Sequence, residues 1–329
     1  MRTFRNPVSP GDAPDPFMTY DSVTGYYYSL FTCGNRLEIF RSRHAGTILS
    51  DKDSKVIYRT PDHGFLKCIW APEMHRVNGR WYIYTSGQET EEHGPKRIFV
   101  LGAVSEDPFG EWEYLGKPLP WLWAIDGTSY TAPNGIQYLS YCRIEHDEHG
   151  HPRNVLQIRR MVNPWTASDQ FADIGRAEYP WEQIPPYDTR HLINEGPFFL
   201  EKNNRLFLIY SANGCTIAQY CLGLLEFIGD PNDSTQLCSA KYWIKLDHPV
   251  FEQANGVYGP GHASFFSSPD GSEMWCAYHG MKTSNVSGKH VRFMNLQKIG
   301  FDETGFPVMG QPVGYECDML PPCGESSEY

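Results

Sequence analysis

The chain shows almost no helical periodicity; its recurring unit is a short strand, a tight turn and a second strand dense in aromatic residues. Two of the turns are Asn78-Gly79 and Asn134-Gly135, and Asn-Gly pairs favour the positive φ values that two-residue hairpins require. The unit occurs five times, as DPFMTYDSVTGYYYSLF, WAPEMHRVNGRWYIYTS, DGTSYTAPNGIQYLSY, EGPFFLEKNNRLFLIYS and GHASFFSSPDGSEMWCAYHG. The pattern therefore predicts five β-hairpins.

A third apolar strand follows each hairpin, and successive copies begin roughly 55 to 70 residues apart. That spacing suits one four-stranded blade with its loops, and five blades around a channel form a β-propeller. Five hairpins could also form a sandwich, but their even spacing favours the propeller. We predict an all-β fold, a single five-bladed β-propeller over residues 1–329, with the active site at one end of its central channel. The Pro-rich segment 163–194 is predicted to be a long inter-blade loop overhanging one face, and 320–329 a loose tail.

Composition narrows the function classes. No apolar run approaches the roughly 20 residues of a membrane helix, and the N-terminal MRTFRNPVSP lacks the apolar core of a secretory signal, so a cytoplasmic protein is expected. The nine cysteines include no CxxC pair, which favours reduced, buried thiols over a metal or redox motif. The formal net charge of −11 gives no electrostatic footprint for nucleic acid.

The repeats also predict which residues meet at the channel. The innermost strand of each propeller blade runs along the axis, so the residues that begin these strands converge at one end. Counting back about nine residues from each turn, or one more in the first copy, identifies them as Asp15, Trp70, Asp126, Glu195 and His262. Three carboxyl groups in one cleft disfavour each other's ionisation, and such a cluster points to function rather than stability.

Glycoside hydrolysis is the chemistry that uses such a cluster. One carboxylic acid protonates the leaving oxygen, and a second carboxylate activates water or attacks directly. A third acid nearby can orient the proton donor. Opposite blades lie well apart, which leaves room for a water and favours inversion; retaining enzymes need the carboxyl groups only about 5–5.5 Å apart.

At these residues the sequence resembles glycoside hydrolase family 43, five-bladed propellers that include arabinofuranosidases, xylosidases and arabinanases. The motifs DPF, WAPE, IDGT, NEGP and VYGPGH occur in order along nearly the whole chain, a combination similar to the α-L-arabinofuranosidase branch. The resemblance implies that Asp15 is the general base and Glu195 the general acid. It also implies that Asp126 tunes the pKa of the proton donor and orients it.

Further roles follow from the same resemblance. Trp70 would wall the sugar subsite, Arg292 would contact the general acid or the sugar, and His262 would lie on the channel axis beside the substrate, with His279 in a later motif. Some relatives hold a calcium or sodium ion in the channel, largely through waters, which makes His262 a candidate ligand. The reaction itself requires no cofactor.

The predicted function is therefore an inverting, exo-acting removal of α-L-arabinofuranosyl residues from oligosaccharides derived from arabinan or arabinoxylan. A β-D-xylosidase, a dual-activity enzyme or an endo-arabinanase on the same scaffold remains an alternative, because the two pentoses offer similar hydroxyl layouts. A non-catalytic sugar-binding propeller is the alternative from another class; it would have no reason to keep all three acids. The expected partner is an arabinose- or xylose-containing oligosaccharide, with no nucleic acid, no membrane and no obligate protein partner.

Overall fold

A computed structural model shows the predicted all-β architecture and describes residues 3–90, 94–185, 189–284 and 290–326. Within these residues, twenty strands form five antiparallel sheets of four, and the strands of each sheet are consecutive in the chain. The five sheets are the blades of a β-propeller, so the predicted fold is confirmed.

In every blade the first strand in the chain is the innermost and the fourth is the outermost. Blade 1 contains β1 (Phe17–Asp21), β2 (Tyr26–Leu30), β3 (Arg36–Ser42) and β4 (Ser54–Arg59). Blade 2 contains β5 (Lys67–Val77), β6 (Arg80–Gln88), β7 (Lys96–Ala103) and β8 (Trp112–Gly116). Blade 3 contains β9 (Ala124–Thr131), β10 (Gln137–His146), β11 (Pro152–Asn163) and β12 (Thr166–Arg176). Blade 4 contains β13 (Asn194–Lys202), β14 (Arg205–Ala212), β15 (Cys221–Phe227) and β16 (Trp243–Lys245). Blade 5 contains β17 (Tyr258–Ser267), β18 (Met274–Met281), β19 (Phe293–Phe301) and β20 (Pro307–Val308).

Among the described residues, helical structure is limited to short turns. These are one α-helical turn, α1 (Ser234–Leu237), and the 3₁₀ turns Ala45–Thr47, Pro180–Glu182 and Ala240–Tyr242. In the part of the chain that is described, no helix is long and apolar enough to cross a membrane.

The hairpins between the first two strands of each blade turn where the sequence predicts. Asn78 and Gly79 have φ values of 49° and 84°, and Asn203 and Asn204 have values of 51° and 61°. Both central residues of these turns are left-handed, as a type I′ hairpin requires. The β5–β6 and β13–β14 registers follow from these turns, and the registers fix which residues reach the top of each inner strand.

Large aromatic side chains fill the spaces between blades. Tyr58, Phe65 and Phe99 pack between blades 1 and 2, where the rings of Phe65 and Phe99 stack with centroids 4.5 Å apart. Each fully buried aromatic side chain removes a large apolar area from water, which makes such rings the main source of cohesion between sheets. The high tyrosine content therefore serves the core.

Aromatic rings also close the channel beneath the inner-strand tops. Phe198 of blade 4 contacts the rings of Phe17, His75 and Phe265 from blades 1, 2 and 5, and the centroids are 5.6 Å apart for Phe17 and His75 and 5.6 Å apart for Phe198 and Phe265. Phe17, Phe198 and Phe265 lie only two or three residues beyond the inner-strand residues 15, 195 and 262, so the cavity above these rings is a dead-end pocket.

The N-terminal segment closes the ring between blades 5 and 1. The amide side chain of Asn6 donates to the Leu296 carbonyl at 2.9 Å and accepts from its N–H at 2.8 Å, and Val8 N–H donates to the Met294 carbonyl at 3.0 Å. This segment therefore covers the free edge of β19 that would otherwise be exposed.

Two predicted loops are ordered. Within 163–194, residues 166–176 form β12, and the rest of the segment, as far as it is described, connects blades 3 and 4. The tail was expected to be loose, but its residues 320–326 pack on the propeller: the Glu325 carboxylate accepts the Ala45 N–H at 2.9 Å, and Cys323 N–H donates to Glu273 at 3.0 Å. These contacts tie the C-terminus to blades 1 and 5.

Candidate active site

A left-handed residue marks the top of the inner strand in every blade. The φ values are 55° at Asp15, 42° at Ala71, 56° at Asp126, 53° at Gly196 and 47° at His262. Non-glycine residues in this region are strained, and such strain concentrates at functional sites. The repeat register therefore differs by one residue from the prediction in blades 2 and 4, where Trp70 and Glu195 directly precede the left-handed position.

Side chains from neighbouring blades hold this strained backbone in place. Four of the five left-handed residues donate their N–H to a side chain of the preceding blade: Ala71 to Thr32 Oγ1 at 2.8 Å, Gly196 to Asp126 Oδ2 at 3.0 Å, His262 to Ser211 Oγ at 2.8 Å, and Asp15 to His279 Nδ1 at 3.1 Å. The blades are thus linked around the axis at the level of the pocket.

One pocket collects every residue predicted for the site. It occupies about 510 Å³ up to its open mouth and is lined by Asp15, Thr32, Trp70, Ile125, Asp126, Glu195, Cys215, His262 and Arg292. Five of the six predicted residues come from the inner-strand tops, and Arg292 precedes β19. A volume of this order is typical of small-ligand sites.

Asp15 is held as a carboxylate. Arg292 Nη1 donates to its Oδ1 at 3.0 Å, Thr32 Oγ1 donates to its Oδ2 at 2.7 Å, and His262 Nδ1 lies 3.3 Å from Oδ1. Burial opposes ionisation, but the positive charge of Arg292, followed by the His262 contribution, outweighs it and keeps the pKa of Asp15 well below its ordinary value. Asp15 is therefore negatively charged at neutral pH.

Glu195 is in the opposite state. Burial, and then the negative charge of Asp15, raise the pKa of Glu195 to about 7, while a hydrogen bond from the Tyr220 hydroxyl to its Oε1, at 3.0 Å, works against the rise. A substantial fraction of Glu195 therefore carries a proton at neutral pH.

Asp126 lies behind Glu195 in the pocket wall and is 5% exposed. Its Oδ2 accepts the N–H of Gly196, the residue that follows Glu195, at 3.0 Å. Burial is the main cause that raises the pKa of Asp126 to about 7, and the charges of Glu195 and Asp15 add to it. Asp126 thus fixes the backbone beside Glu195 and interacts with it electrostatically.

His279 supports Asp15 as a neutral ring. Its Nδ1 accepts the Asp15 N–H, so its proton is on Nε2, and burial lowers the pKa of His279 to about 4. Its ring stacks on Tyr220, with centroids 5.3 Å apart and planes within 4°. Tyr220, which contacts Glu195, therefore also packs against His279, which accepts a hydrogen bond from the Asp15 backbone.

The described residues do not present a directly coordinating metal site. No group of three or more His, Cys, Asp or Glu side chains among them is arranged to hold an ion, and His262 Nδ1 already faces Asp15. The water-mediated ion suggested for His262 therefore stays a prediction, and we derive no step through it.

Trp70 and Arg292 lie where the resemblance places them, with one difference. Trp70 lines the pocket, and Lys96 Nζ covers one face of its ring at 4.2 Å from the centroid. Arg292 contacts Asp15, and no hydrogen bond joins it to Glu195 among the described contacts. The arginine therefore contacts the carboxylate expected to be the base.

Four residues of the site were missed in the sequence: Thr32, Ile125, Cys215 and Tyr220. Ile125 directly precedes Asp126, and Thr32 and Cys215 follow β2 and β14 and line the pocket from outside the inner strands. Tyr220, also after β14, reaches the site through its hydrogen bond to Glu195. Cys215 lies in the segment SANGCT between β14 and β15 of blade 4. Burial raises the pKa of the Cys215 thiol to about 12, so it is protonated.

Comparison with known proteins places this geometry in a family. Residues 4–307 match the profile described as glycosyl hydrolases family 43. The chain belongs to this family. The predicted family is therefore confirmed, and the protein is a glycoside hydrolase.

Two enzymes with known names and one crystal structure are similar to this chain over most of its length. An extracellular exo-α-(1→5)-L-arabinofuranosidase of Streptomyces avermitilis is 32% identical over 94% of this chain and 64% of its own length. An enzyme of the same name from Streptomyces chartreusis is 32% identical over 80% of this chain and 79% of its own. The crystal structure of an α-L-arabinofuranosidase from Lactobacillus brevis, 27% identical, superposes with a TM-score of 0.84 over 95% of this chain and 98% of that one.

The expectation of a cytoplasmic location is wrong by this comparison, because both Streptomyces relatives are named as extracellular enzymes. The prediction relied on the N-terminal residues of the sequence. Two relatives that align with most of the chain are stronger evidence on location than the N-terminal residues.

Proposed function

We propose that this chain is an inverting, exo-acting α-L-arabinofuranosidase. The observation that carries the proposal is the contrast between the surroundings of two carboxyl groups in one dead-end pocket. The pKa of Asp15 is held low by Arg292, and the pKa of Glu195 is raised by burial and by the charge of Asp15. Carboxyl groups whose surroundings separate their pKa values are the usual sign of an acid and base pair.

In this mechanism, Asp15 accepts a proton from the water that attacks the anomeric carbon. Glu195 donates its proton to the glycosidic oxygen as the leaving group departs. Asp126 positions Glu195 through the Gly196 backbone and helps keep it protonated. Trp70 and Arg292 border the space in which the sugar ring would bind.

Inversion is supported by the blades that carry the two groups. Asp15 precedes β1 in blade 1 and Glu195 is the second residue of β13 in blade 4, so blade 5 separates them on one side and blades 2 and 3 on the other. Inverting enzymes place their carboxyl groups roughly 6.5–9.5 Å apart, because a water must fit between the base and the sugar. Attachment to non-adjacent blades favours such a separation.

The substrate and mode of action are supported by the relatives and by the pocket. The two Streptomyces relatives are named as exo-α-(1→5)-L-arabinofuranosidases, and the aromatic floor of the pocket favours the binding of a chain end over an internal segment. Because the chain spans 64% of the first relative's length, its substrate range is part of the proposal. The extracellular naming of both relatives supports action outside the cell, on arabinose-containing oligosaccharides. We also propose that the reaction needs no cofactor.

The test combines aryl α-L-arabinofuranoside and aryl β-D-xylopyranoside hydrolysis with proton NMR of the first anomer released. We expect arabinoside turnover with inversion, unchanged by EDTA, and a loss of at least about 100-fold on unactivated substrates in Glu195→Gln and Asp15→Asn. Glu252→Gln, an exposed substitution outside the pocket, is the matched control. Retention of the anomeric configuration would contradict inversion, and a preference for the xyloside would contradict the proposed sugar. Activity that is lost in EDTA and restored by Ca²⁺ would contradict the absence of a cofactor. Near-normal turnover in Glu195→Gln would contradict the role of Glu195 as the acid.

A further inference from the structure

Exposed aromatic rings are confined to one place on the described surface. Among the Phe, Tyr and Trp residues that the structure describes, only Trp121 and Phe171 are exposed, with accessible fractions of 62% and 48%. Both line the same groove on blade 3, which encloses about 760 Å³. Since burial accounts for the other described rings, this pair needs an explanation of its own.

The polar lining of the groove is rigid. Arg143 Nε donates to Asp173 Oδ1 at 3.0 Å, and the Gln157 amide donates to the same oxygen at 2.7 Å. The guanidinium of Arg159 lies 4.1 Å from the centroid of the Phe171 ring and covers one of its faces. Phe171 is thus held by a cation–π contact, and because Arg159 and Gln157 are only 5% and 3% exposed, the groove presents its aromatic surface above a buried hydrogen-bond network.

Charge in the groove is balanced. Arg143 and Arg159 are offset by Asp169 and Asp173, all of which line it. An anionic polymer would find no excess of positive charge there, and a polycation would find no excess of negative charge. Sugars present apolar C–H faces and neutral hydroxyl groups, so exposed aromatic rings in a groove without net charge suit a neutral polysaccharide.

The groove also lies within reach of the catalytic pocket. Trp121 precedes Asp126 by five residues, a separation that extended chain spans in no more than roughly 18 Å. Arg143 on β10 pairs in register with Ala124 on β9, two residues before Asp126. The groove therefore lies on the blade that carries Asp126, with Trp121 on the segment that leads to the pocket and Phe171 on the outermost strand β12.

We propose that this aromatic groove is a second carbohydrate-binding site, which holds a neutral arabinan chain through Trp121 and Phe171 while a chain end enters the catalytic pocket. This inference rests on the proposed function for the identity of the sugar. The groove itself lies outside the catalytic machinery, so its removal leaves the chemistry intact.

Affinity electrophoresis in gels containing linear arabinan tests the site directly. The Glu195→Gln protein serves as the background, because it does not consume the polymer, and gels with dextran or without polysaccharide provide references. In Trp121→Ala/Phe171→Ala the apparent dissociation constant for arabinan should rise at least roughly fivefold, the effect expected when an anchoring aromatic is truncated. Trp121→Tyr should retain most of the binding, and Ile228→Ala, which removes an equally exposed apolar side chain from outside the groove (57% exposed), should retain all of it.

A kinetic comparison with an active Glu195 completes the test. The double variant should hydrolyse aryl α-L-arabinofuranoside within about twofold of the unsubstituted protein but show a raised KM for arabinan. Equal retardation by dextran, unchanged binding of arabinan by the double variant, or a change in its sedimentation that reveals a lost protein–protein interface would overturn the proposal. If the unsubstituted protein fails to hydrolyse the aryl arabinoside, the proposed function fails, and the gels still decide whether the groove binds arabinan.

Discussion

Asp15 and Glu195 are carboxyl groups in the same pocket, yet their surroundings shift their pKa values in opposite directions. Asp15 has Arg292 at 3.0 Å and Thr32 at 2.7 Å, whereas Glu195 has only the Tyr220 hydroxyl at 3.0 Å. Each ionised group disfavours ionisation of the other, so the group with the cationic neighbour takes the charge. Arg292 therefore decides which carboxyl group is the base and, indirectly, which one is the acid.

The pH profile of kcat/KM should follow from this assignment. Activity requires ionised Asp15, so it falls only in strong acid, below the ordinary aspartate range. Activity also requires protonated Glu195, so it falls as pH rises through about 7.

The Tyr220 hydroxyl favours ionised Glu195, so Tyr220→Phe should raise the pKa of Glu195 and move the alkaline limb of the profile upward by about one pH unit. Tyr242→Phe, a partly exposed tyrosine elsewhere in blade 4, is the control. An alkaline limb that stays in place or moves to lower pH would rule out this role for Tyr220.

At the scale of the strands, the left-handed residue at each inner-strand top directs the pocket side chains. Gly196 is the critical case: its φ is 53°, and a Cβ placed there would lie 3.0 Å from His262 Nδ1. We expect Gly196→Ala to cost about 1–2 kcal/mol of unfolding free energy from the backbone strain. It should also lower kcat/KM more than tenfold, because the shift moves Glu195.

Gly300→Ala on β19 is the control for this substitution, since its backbone is not left-handed and a Cβ there would make only ordinary contacts, the nearest at 3.9 Å. Thermal denaturation and kinetics on the aryl arabinoside measure both effects. If Gly196→Ala keeps full activity, the left-handed residue does not direct Glu195.

The same elements show how far the sequence could be interpreted. Asn-Gly and Asn-Asn turns place two left-handed residues in succession in the hairpins of blades 2 and 4, and a glycine turn between short strands marks the other three, so the five blades and most of the pocket were predictable. The strand β12 was missed because only one of its faces packs, and its sequence TASDQFADIGR has few apolar residues to reveal a period of two. Thr32, Cys215 and Tyr220 follow strands other than the innermost ones, and repeat spacing carries no information on how far such segments reach toward the axis.

At the scale of the whole molecule, the propeller converts five separate sequence segments into one pocket and must tolerate the electrostatic cost of doing so. The N-terminal segment holds the ring closed against blade 5, and side chains of one blade bind the strained backbone of the next. The rigid ring keeps three carboxyl groups together even though they disfavour each other's ionisation. Stability should therefore depend on pH in a way that can be traced to single residues.

Glu195 and Asp126 have folded-state pKa values raised to about 7, above the ordinary values of 4.5 and 3.8. The folded state thus binds protons that the unfolded state has lost; the associated stability is complete below about pH 4 and is lost as pH rises through about 7. Glu195→Gln removes this penalty, so its gain in unfolding free energy should be near zero at pH 4 and reach on the order of 1–3 kcal/mol at pH 8. Asp15→Asn should behave oppositely and be less stable than the unsubstituted protein at both pH values, because it leaves Arg292 without its carboxylate. Thermal melts at pH 4, 6 and 8 measure all three proteins. A Glu195→Gln gain that is equal at pH 4 and pH 8 would show that Glu195 is not held protonated by the fold.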